Sequence, residues 1–289
     1  MADFSLDHVL IAVRDLDRAA RAWTAGLGLT LSPEGVHPGR GTHNRLIVFH
    51  GEYLELIAFR DGSEGAFRPT MADLLDRRQG LYMFALGTDD IGKAVSDLRS
   101  RGVDVEDPVD GAREGGNGAP GYTWKSAAIP AGATPGSETF IIQHDNTMTE
   151  RYREPRGLFQ HPSGATGVHS LEIAVGDAEA AASSWQAVFG LQPPELLGEL
   201  TDVGERRARL RLRNCFLDFV SPTDSGELSR FLESNGEAPY RLSLHVTDLA
   251  ATADALVKRG VTATRGVDSD GKHLEVASEH TSGVSLRFI

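Results

Sequence analysis

An internal repeat constrains the fold of this 289-residue chain more than any other feature of its sequence. Four times, an apolar run ends at an Asp, an Ala-rich helical segment follows, and a glycine followed by an apolar residue closes the segment. In the first copy Trp23 comes eight residues after Asp15, and in the third copy Trp185 comes eight residues after Asp177. Self-similarity of this kind indicates a repeated supersecondary unit.

The repeats alternate between two types. The first and third copies end in Gly-Leu at 28–29 and 190–191, whereas the second and fourth end in Arg-Gly-Val at 101–103 and 259–261. The Asp residues of the odd copies lie 162 residues apart (177 minus 15), and those of the even copies 158 apart (248 minus 90). A two-module unit has therefore been duplicated. We predict a first domain over 1–145, a linker over 146–167 and a second domain over 168–289.

Each module is predicted to fold as a strand, a helix and three further strands. An Asp before a helix can accept hydrogen bonds from the free N–H groups of the first turn, and the closing glycine can adopt the left-handed conformation that ends it. Runs such as 45–50 and 53–59, separated by Gly51-Glu52, have the composition of paired strands. The prediction is an α+β fold of four βαβββ modules, in which tandem domains form two cupped half-barrels.

Two stretches interrupt this rhythm. Residues 107–121 are rich in Gly, Pro, Asp and Glu, which predicts a mobile surface loop or a lid. The linker 146–167 contains Tyr152, Leu158 and Phe159, which we expect to pack partly against the domains. Short helices are predicted at 70–78 and 227–233, after the last strand of each odd module.

Composition excludes several classes of protein. With 41 acidic and 29 basic residues the net charge is -12, which repels nucleic acid and anionic membranes. The single Cys215 can form neither an internal disulfide nor a zinc–thiolate cluster. Apolar runs are far shorter than the roughly 18 residues of a membrane span. Because the N-terminus also lacks the pattern of a signal peptide, we expect a cytoplasmic protein.

One segment resembles a known family. The run His37-Pro38-Gly39-Arg40-Gly41-Thr42-His43-Asn44-Arg45-Leu46, followed by Tyr53-Leu54-Glu55-Leu56, is similar to the glyoxalase-like branch of the vicinal oxygen chelate superfamily. That superfamily includes glyoxalase I, extradiol dioxygenases, fosfomycin-resistance proteins and metal-free antibiotic-binding proteins. The module pattern extends the resemblance over nearly the whole chain.

The resemblance implies a divalent metal ion in the cup of a domain, held by the first and last strands of its paired modules. In the first domain these positions are His8 and Glu55, followed by Met83 and Phe140 from the second module, which are poor ligands. In the second domain they are occupied by Ser170, Asp218, Arg241 and Arg287. We therefore expect any metal to bind only the first domain, with Zn, Mn, Fe and Ni all candidates and a metal-free protein still open.

Alternatives remain for each candidate residue. His8 and Glu55 either ligate a metal or form a structural pair, since a buried carboxylate needs a partner. His37 is the favoured third ligand, ahead of His43, His50, His144 and Gln143. Thr42 and Asn44 either bind substrate or hold their loop. Aromatic residues either line a binding cup or belong to the core, and these are Tyr53, Tyr82, Trp124 and Phe140.

Two functions follow. The first is a metal-dependent enzyme for a small molecule, with lyase, isomerase or dioxygenase chemistry, in which Glu55 is catalytic and exchanges protons with the substrate. The second is a metal-free protein that binds or sequesters a hydrophobic metabolite or drug. The sequence leaves the oligomeric state open, with a homodimer among the options.

Overall fold

The computed structural model describes residues 4–60, 69–115, 121–153, 155–200, 204–268 and 270–289. Two eight-stranded sheets, one from each half of the chain, form its framework. Strands of the first sheet are β1 (Ser5–Ala12), β2 (Gly35–His37), β3 (Thr42–Val48), β4 (Tyr53–Phe59), β5 (Gly80–Gly87), β6 (Val109–Gly115), β7 (Tyr122–Ala128) and β8 (Thr139–His144). Strands of the second are β9 (Ala165–Ala174), β10 (Glu195–Leu200), β11 (Glu205–Arg211), β12 (Phe216–Pro222), β13 (Ala238–Val246), β14 (Ala263–Asp268), β15 (Gly271–Val276) and β16 (Ser285–Phe288).

Some helices pack on the outer faces of the sheets, and others cover inward-facing side chains at the ends of the sheets. They are α1 (Leu16–Arg21), which continues as a π-helical turn (Ala22–Gly26), α2 (Pro69–Arg77), α3 (Ile91–Ser100), α4 (Met148–Arg151), α5 (Ala178–Phe189), α6 (Glu227–Asn235) and α7 (Leu249–Lys258), with a 3-10 turn (Ser278–His280). No helix in the described part of the chain is long and apolar enough to cross a membrane. The helices predicted at 70–78 and 227–233 correspond to α2 and α6.

Strand order confirms the tandem α+β fold of βαβββ modules. The first sheet runs β1-β4-β3-β2-β6-β7-β8-β5 and closes into a barrel, because β2 pairs with β6. The second runs β10-β11-β12-β9-β13-β16-β15-β14 and stays open as a half-barrel between β10 and β14. The first cup is therefore sealed along its side, whereas the second keeps a cleft there.

The predicted helix signals have their expected geometry. All four Asp residues cap a helix by accepting from backbone N–H groups of its first turn. All four closing glycines have positive φ, from 64° to 85°, a conformation that costs glycine little. Caps and glycines are Asp15, Asp90, Asp177 and Asp248, and Gly28, Gly102, Gly190 and Gly260.

The prediction of a mobile loop over 107–121 was wrong where the structure describes that stretch. Residues 109–115 form β6, the strand that closes the barrel, while 116–120 lie outside the described residues. Low apolar content concealed the strand, since its outward face is polar. The segment after β8 packs as expected, because Tyr152 and Leu158 are buried among the inward side chains Leu46, Val48 and Tyr53 of the barrel.

A reciprocal clasp joins the two halves. Glu52 Oε1, in the β3–β4 turn, accepts from the backbone N–H of Val168 at 2.7 Å. The corresponding turn of the second half carries Asn214, whose Oδ1 accepts from the N–H of Leu6 at 2.8 Å and whose Nδ2 donates to its C=O at 2.9 Å. Asn214 Nδ2 also donates to Glu52 Oε2 at 2.8 Å, so the two turns meet. Burial raises the pKa of Glu52.

We predict that Asn214→Asp destabilises the protein at pH 7 more than Asn214→Ala does. The new carboxylate would face both the Glu52 carboxylate and the Leu6 carbonyl oxygen, and two adjacent carboxylates raise the pKa of one of them. A group with a raised pKa in the folded state contributes stability at low pH and loses it as the pH rises. The Asp variant should therefore recover towards the Ala variant as the pH falls from 7 to 5.

Urea unfolding at several pH values measures this difference. The exposed Asn146→Asp is the control and should change the free energy of unfolding little at any of them. Equal stability of the Asp and Ala variants at pH 7 would contradict the clasp.

Candidate active site in the first barrel

His8 and Glu55 face each other inside the first barrel, although 47 residues separate them (55 minus 8). β1 and β4 are parallel neighbours, with Leu10 paired to Glu55. His8 Nε2 lies 3.6 Å from Glu55 Oε2, and the two residues are 3% and 4% exposed. This distance is longer than a hydrogen bond, so the two side chains converge without a direct bond between these atoms.

A β-bulge at Asp7 sets the direction of His8. Against β5, Leu6 pairs with Leu86 and His8 with Ala85, so Asp7 is an extra residue that shifts the phase of the strand. As a result Asp7 and His8 interact although they are consecutive, and His8 Nδ1–H donates to Asp7 Oδ1 at 2.7 Å. Burial opposes ionisation of Asp7, but His144 and His8 outweigh it and hold the pKa of Asp7 well below its usual range. The ionised Asp7 accepts from Nδ1 and so orients the His8 ring with Nε2 towards Glu55.

His37 approaches Glu55 from the other side. It ends β2, and its Nε2 lies 3.7 Å from Glu55 Oε1. Asn44 Nδ2 donates to the same Glu55 oxygen at 2.8 Å and lies 3.3 Å from His37 Nε2. Since that amide nitrogen can only donate, His37 Nε2 is the acceptor and its Nδ1–H donates to Thr42 Oγ1 at 2.9 Å.

Arg113 holds the orientation of the Asn44 amide. It is 2% exposed on β6, and its Nε donates to Asn44 Oδ1 at 2.9 Å while its Nη2 donates to the Pro33 carbonyl at 3.0 Å. With Oδ1 engaged, the Asn44 amide nitrogen must face Glu55 and His37. A side chain on Gly35 could not coexist with this arrangement, because its Cβ would lie 2.1 Å from Arg113 Cζ.

Aromatic rings wall the site. Tyr53 stacks on His8 with ring centroids 4.5 Å apart, and Phe140 meets the same imidazole edge-on at 5.6 Å. Trp124 meets His37 edge-on at 6.2 Å. Between them is a cavity of about 30 Å³, lined also by Glu55, Asn44 and His144. Burial raises the pKa of Tyr53, so its phenol stays protonated.

The other histidine and glutamine candidates have separate partners. His43 donates from Nδ1 to Glu34 at 2.8 Å outside the cavity, His50 stacks on Phe159, and Gln143 caps α3 by accepting from Ile91 N–H. His144 does line the cavity, and its Nε2–H donates to Asp7 at 3.2 Å. Of the four histidines considered as third ligands, the structure thus places His37 and His144 at the cavity.

The donors fit a divalent metal ion in part. His8 has the arrangement of a metal-binding histidine, with its second nitrogen anchored on a carboxylate, and Glu55 offers oxygen beside it. The third donor departs from this pattern, because His37 Nε2 accepts from the Asn44 amide. Within the described residues, no group of three or more His, Cys, Asp or Glu is arranged to hold a metal.

The same position in the second sheet contains a network of ion pairs. Asp218 corresponds to Glu55, and both of its oxygens accept from Arg209, at 2.7 and 2.6 Å. Arg241 donates to Glu172 at 2.7 Å, and Arg287 donates to Asp268 at 2.9 Å. The carboxylates that could attract a cation are thus bound to guanidinium groups, which cannot lose their protons to become ligands.

Sequence reasoning missed Asp7 and Arg113. The bulge at Asp7 leaves no mark in the alternation of apolar residues, and Arg113 lies in the stretch predicted as a loop. The only available signal for Asp7 was its position next to His8.

A closed barrel beside a half-barrel, with the site in the barrel, defines a protein of the tandem vicinal oxygen chelate fold. The family model described as "Glyoxalase-like domain" matches residues 6–189, about two thirds of the chain, and the chain belongs to this family. A search of curated proteins finds no match.

Two solved structures share the fold over nearly the whole chain, and a third is similar to part of it. A hypothetical protein from Staphylococcus aureus is 15% identical, with a TM-score of 0.66 over 99% of both chains. A triple mutant of 4-hydroxymandelate synthase from Streptomyces coelicolor is 14% identical, with a TM-score of 0.69 over 100% of this chain and 92% of that one. Methylmalonyl-CoA epimerase from Mycobacterium tuberculosis is 26% identical over 43% of this chain and 87% of that one, with a TM-score of 0.37.

We predict that Gly35→Ala destabilises the protein by about 1–3 kcal/mol, because the new Cβ displaces Arg113 and leaves buried polar groups of Asn44 and Arg113 without partners. Gly92→Ala is the matched control. Its Cβ would meet only Asp90 Oδ1, at 3.5 Å, and an alanine in a helix is more stable than a glycine by about 0.5–1 kcal/mol. Chemical denaturation should therefore give opposite signs for the two variants. A Gly35→Ala protein as stable as the wild type would show that Arg113 is not held as described.

Proposed function

We propose that this protein is an enzyme acting on a small molecule, with Glu55 as its proton-transferring carboxylate in the first barrel. One observation carries the proposal. A buried carboxylate lies between two imidazoles and an amide, and it borders a cavity that adjoins a larger groove.

The two oxygens of Glu55 have different surroundings. Oε1 accepts from Asn44 at 2.8 Å, which fixes the plane of the carboxylate. Oε2 lies on the side of His8, at 3.6 Å from Nε2. Glu55 would take a proton from a substrate atom in the cavity and return it, while Asn44 and Arg113 keep the carboxylate in position. The aromatic rings of Tyr53, Trp124 and Phe140 would exclude water from the reacting atoms.

A divalent ion would be held by His8 Nε2 and the Glu55 carboxylate, with His37 as the proposed third ligand. Zn, Mn, Fe and Ni all accept this donor set. Such an ion would supply Lewis-acid polarisation of substrate oxygens. Lyase, isomerase and dioxygenase chemistry are each compatible with a carboxylate base beside such a centre, and the substrate remains to be identified. A cytoplasmic location and a homodimer remain predictions.

A second function, metal-free binding or sequestering of a hydrophobic molecule, is favoured by a different observation. The Asn44 amide contacts both His37 Nε2 and Glu55 Oε1, so two of the three proposed ligands already have a hydrogen-bond partner. Aromatic residues around the cavity and a groove of about 530 Å³ beside it would suit an apolar ligand.

Metal analysis separates the two functions. We expect purified protein, after incubation with Zn²⁺, Mn²⁺, Fe²⁺ or Ni²⁺ in turn and desalting, to retain about one equivalent of at least one of them. His8→Ala/Glu55→Ala should abolish this retention, because both strong donors are removed. The measurement is elemental analysis, with circular dichroism to show that the variants are folded.

The matched control is His43→Ala/Glu34→Ala, which removes the same residue types from a 2.8 Å pair outside the cavity. It should retain metal like the wild type. Should His8→Ala/Glu55→Ala retain metal, the ligand assignment is wrong. Should the wild type retain none of the four metals, the metal-dependent enzyme is excluded and the binding protein becomes the leading function.

A further inference from the structure

The groove beside the cavity is where the chemistry of the ligand can be inferred. It has a volume of about 530 Å³ and lies at the end of the barrel opposite Tyr152 and Leu158. Most of its wall is apolar, formed by Pro69, Met83, Val109, Ala128, Ile129, Ala131 and Phe140. Phe140 and Arg40 line both the groove and the cavity that contains Glu55. A molecule lying in the groove would therefore reach the proposed catalytic carboxylate at this junction.

Arg40 is placed at the junction by the β2–β3 hairpin. The turn contains Gly39 at φ 69° and Gly41 at φ 64°, and Arg40 N–H donates to the His37 carbonyl at 3.2 Å. Its side chain is half-buried and lines three hollows, namely the cavity, the groove and a third beside Lys125. Among the described residues that line the cavity and the groove, Arg40 is the only Lys or Arg.

The charges around the groove favour one acidic group on the ligand. The carboxylate among the groove residues is Glu138, which is exposed and accepts from Thr70 Oγ1 at 3.2 Å. Glu138 in the groove and Glu55 in the cavity would both repel an acidic group that does not lie against Arg40. The net charge of -12 also repels anions over long distances, so an anion needs a local cation to bind. A guanidinium binds carboxylates and related oxyanions through paired hydrogen bonds.

We propose that the groove binds an elongated apolar molecule with a single acidic group, which Arg40 binds at the junction. The apolar body would lie along Met83, Ile129 and Phe140, and the atoms next to the acidic group would lie beside Glu55. This inference rests on the proposed small-molecule function and adds the chemical class of the ligand.

Two fluorescent probes of similar shape and different charge test the proposal. 1-Anilinonaphthalene-8-sulfonate is an apolar monoanion, and N-phenyl-1-naphthylamine has the same ring frame without the charge. We expect Arg40→Gln to weaken binding of the anionic probe at least tenfold and to leave the neutral probe within twofold of the wild type. Ala128→Trp, which fills the groove, should weaken both probes.

Lys125→Gln is the matched control. Lys125 lies in the hollow next to the groove and pairs with Asp110 at 2.7 Å. The substitution removes one positive charge there, so both probes should bind this variant like the wild type. The proposal is overturned if Arg40→Gln leaves the anionic probe unchanged, if it weakens both probes equally, or if Lys125→Gln has the same effect. It is also overturned if Ala128→Trp affects neither probe.

Failure of this proposal can be distinguished from failure of the proposed function. Arg40→Gln should retain metal like the wild type, and His8→Ala/Glu55→Ala should still bind the neutral probe. If the wild type retains no metal but Arg40→Gln weakens only the anionic probe, the metal-dependent enzyme is excluded and the acidic ligand is supported. If the wild type retains metal but Arg40→Gln does not distinguish the two probes, the metal centre is supported and the assigned ligand class is wrong.

Discussion

The site depends on the hydrogen bonds that hold the backbone of β1 next to its β-bulge, where the alternation of inward and outward side chains shifts by one residue. Asn214 of the second half binds both the N–H and the C=O of Leu6, and the next residue, Asp7, is the bulge. That bulge lets Asp7 anchor the His8 ring that faces Glu55. Contact between the halves thus helps to fix the geometry of a candidate site that lies within the first barrel. A change that weakens the contact between the halves is therefore expected to disturb the position of the His8 ring as well.

The two halves have β-bulges at equivalent positions, but different side chains fill the space that their sheets enclose. β9 has a bulge at His169, the counterpart of Asp7, and β13 has one at Tyr240, the counterpart of Tyr82. In the first half the enclosed space holds a few polar groups, aromatic rings and a cavity. In the second half, Glu172 replaces Leu10 and pairs with Arg241, and further ion pairs fill the centre. The two halves thus share the backbone irregularities and differ in the side chains that fill the enclosed space.

The repeat allowed the modules, helix caps and closing glycines to be predicted, because each rests on local spacing. His8 and Glu55 could be predicted as neighbours because the resemblance to the glyoxalase-like branch implies that the first and last strands of a module contribute to one site. Closure of the barrel could not be predicted, because it depends on β6. The outward residues of β6 are polar and its inward residue Arg113 is charged, a composition that is typical of a loop. The orientation of the Asn44 amide could not be predicted either, because it depends on a side chain 69 residues away.

The segment that connects the halves also forms the floor of the first barrel. Tyr152 donates from its hydroxyl to that of Tyr122 at 2.8 Å, and Leu158 packs beside it, so this end of the barrel is plugged by chain that belongs to neither sheet. The groove that adjoins the cavity lies at the opposite end of the barrel. A first half excised before this segment would expose apolar side chains that are buried in the whole chain, so the first pair of modules depends for its solvation on residues outside the repeat.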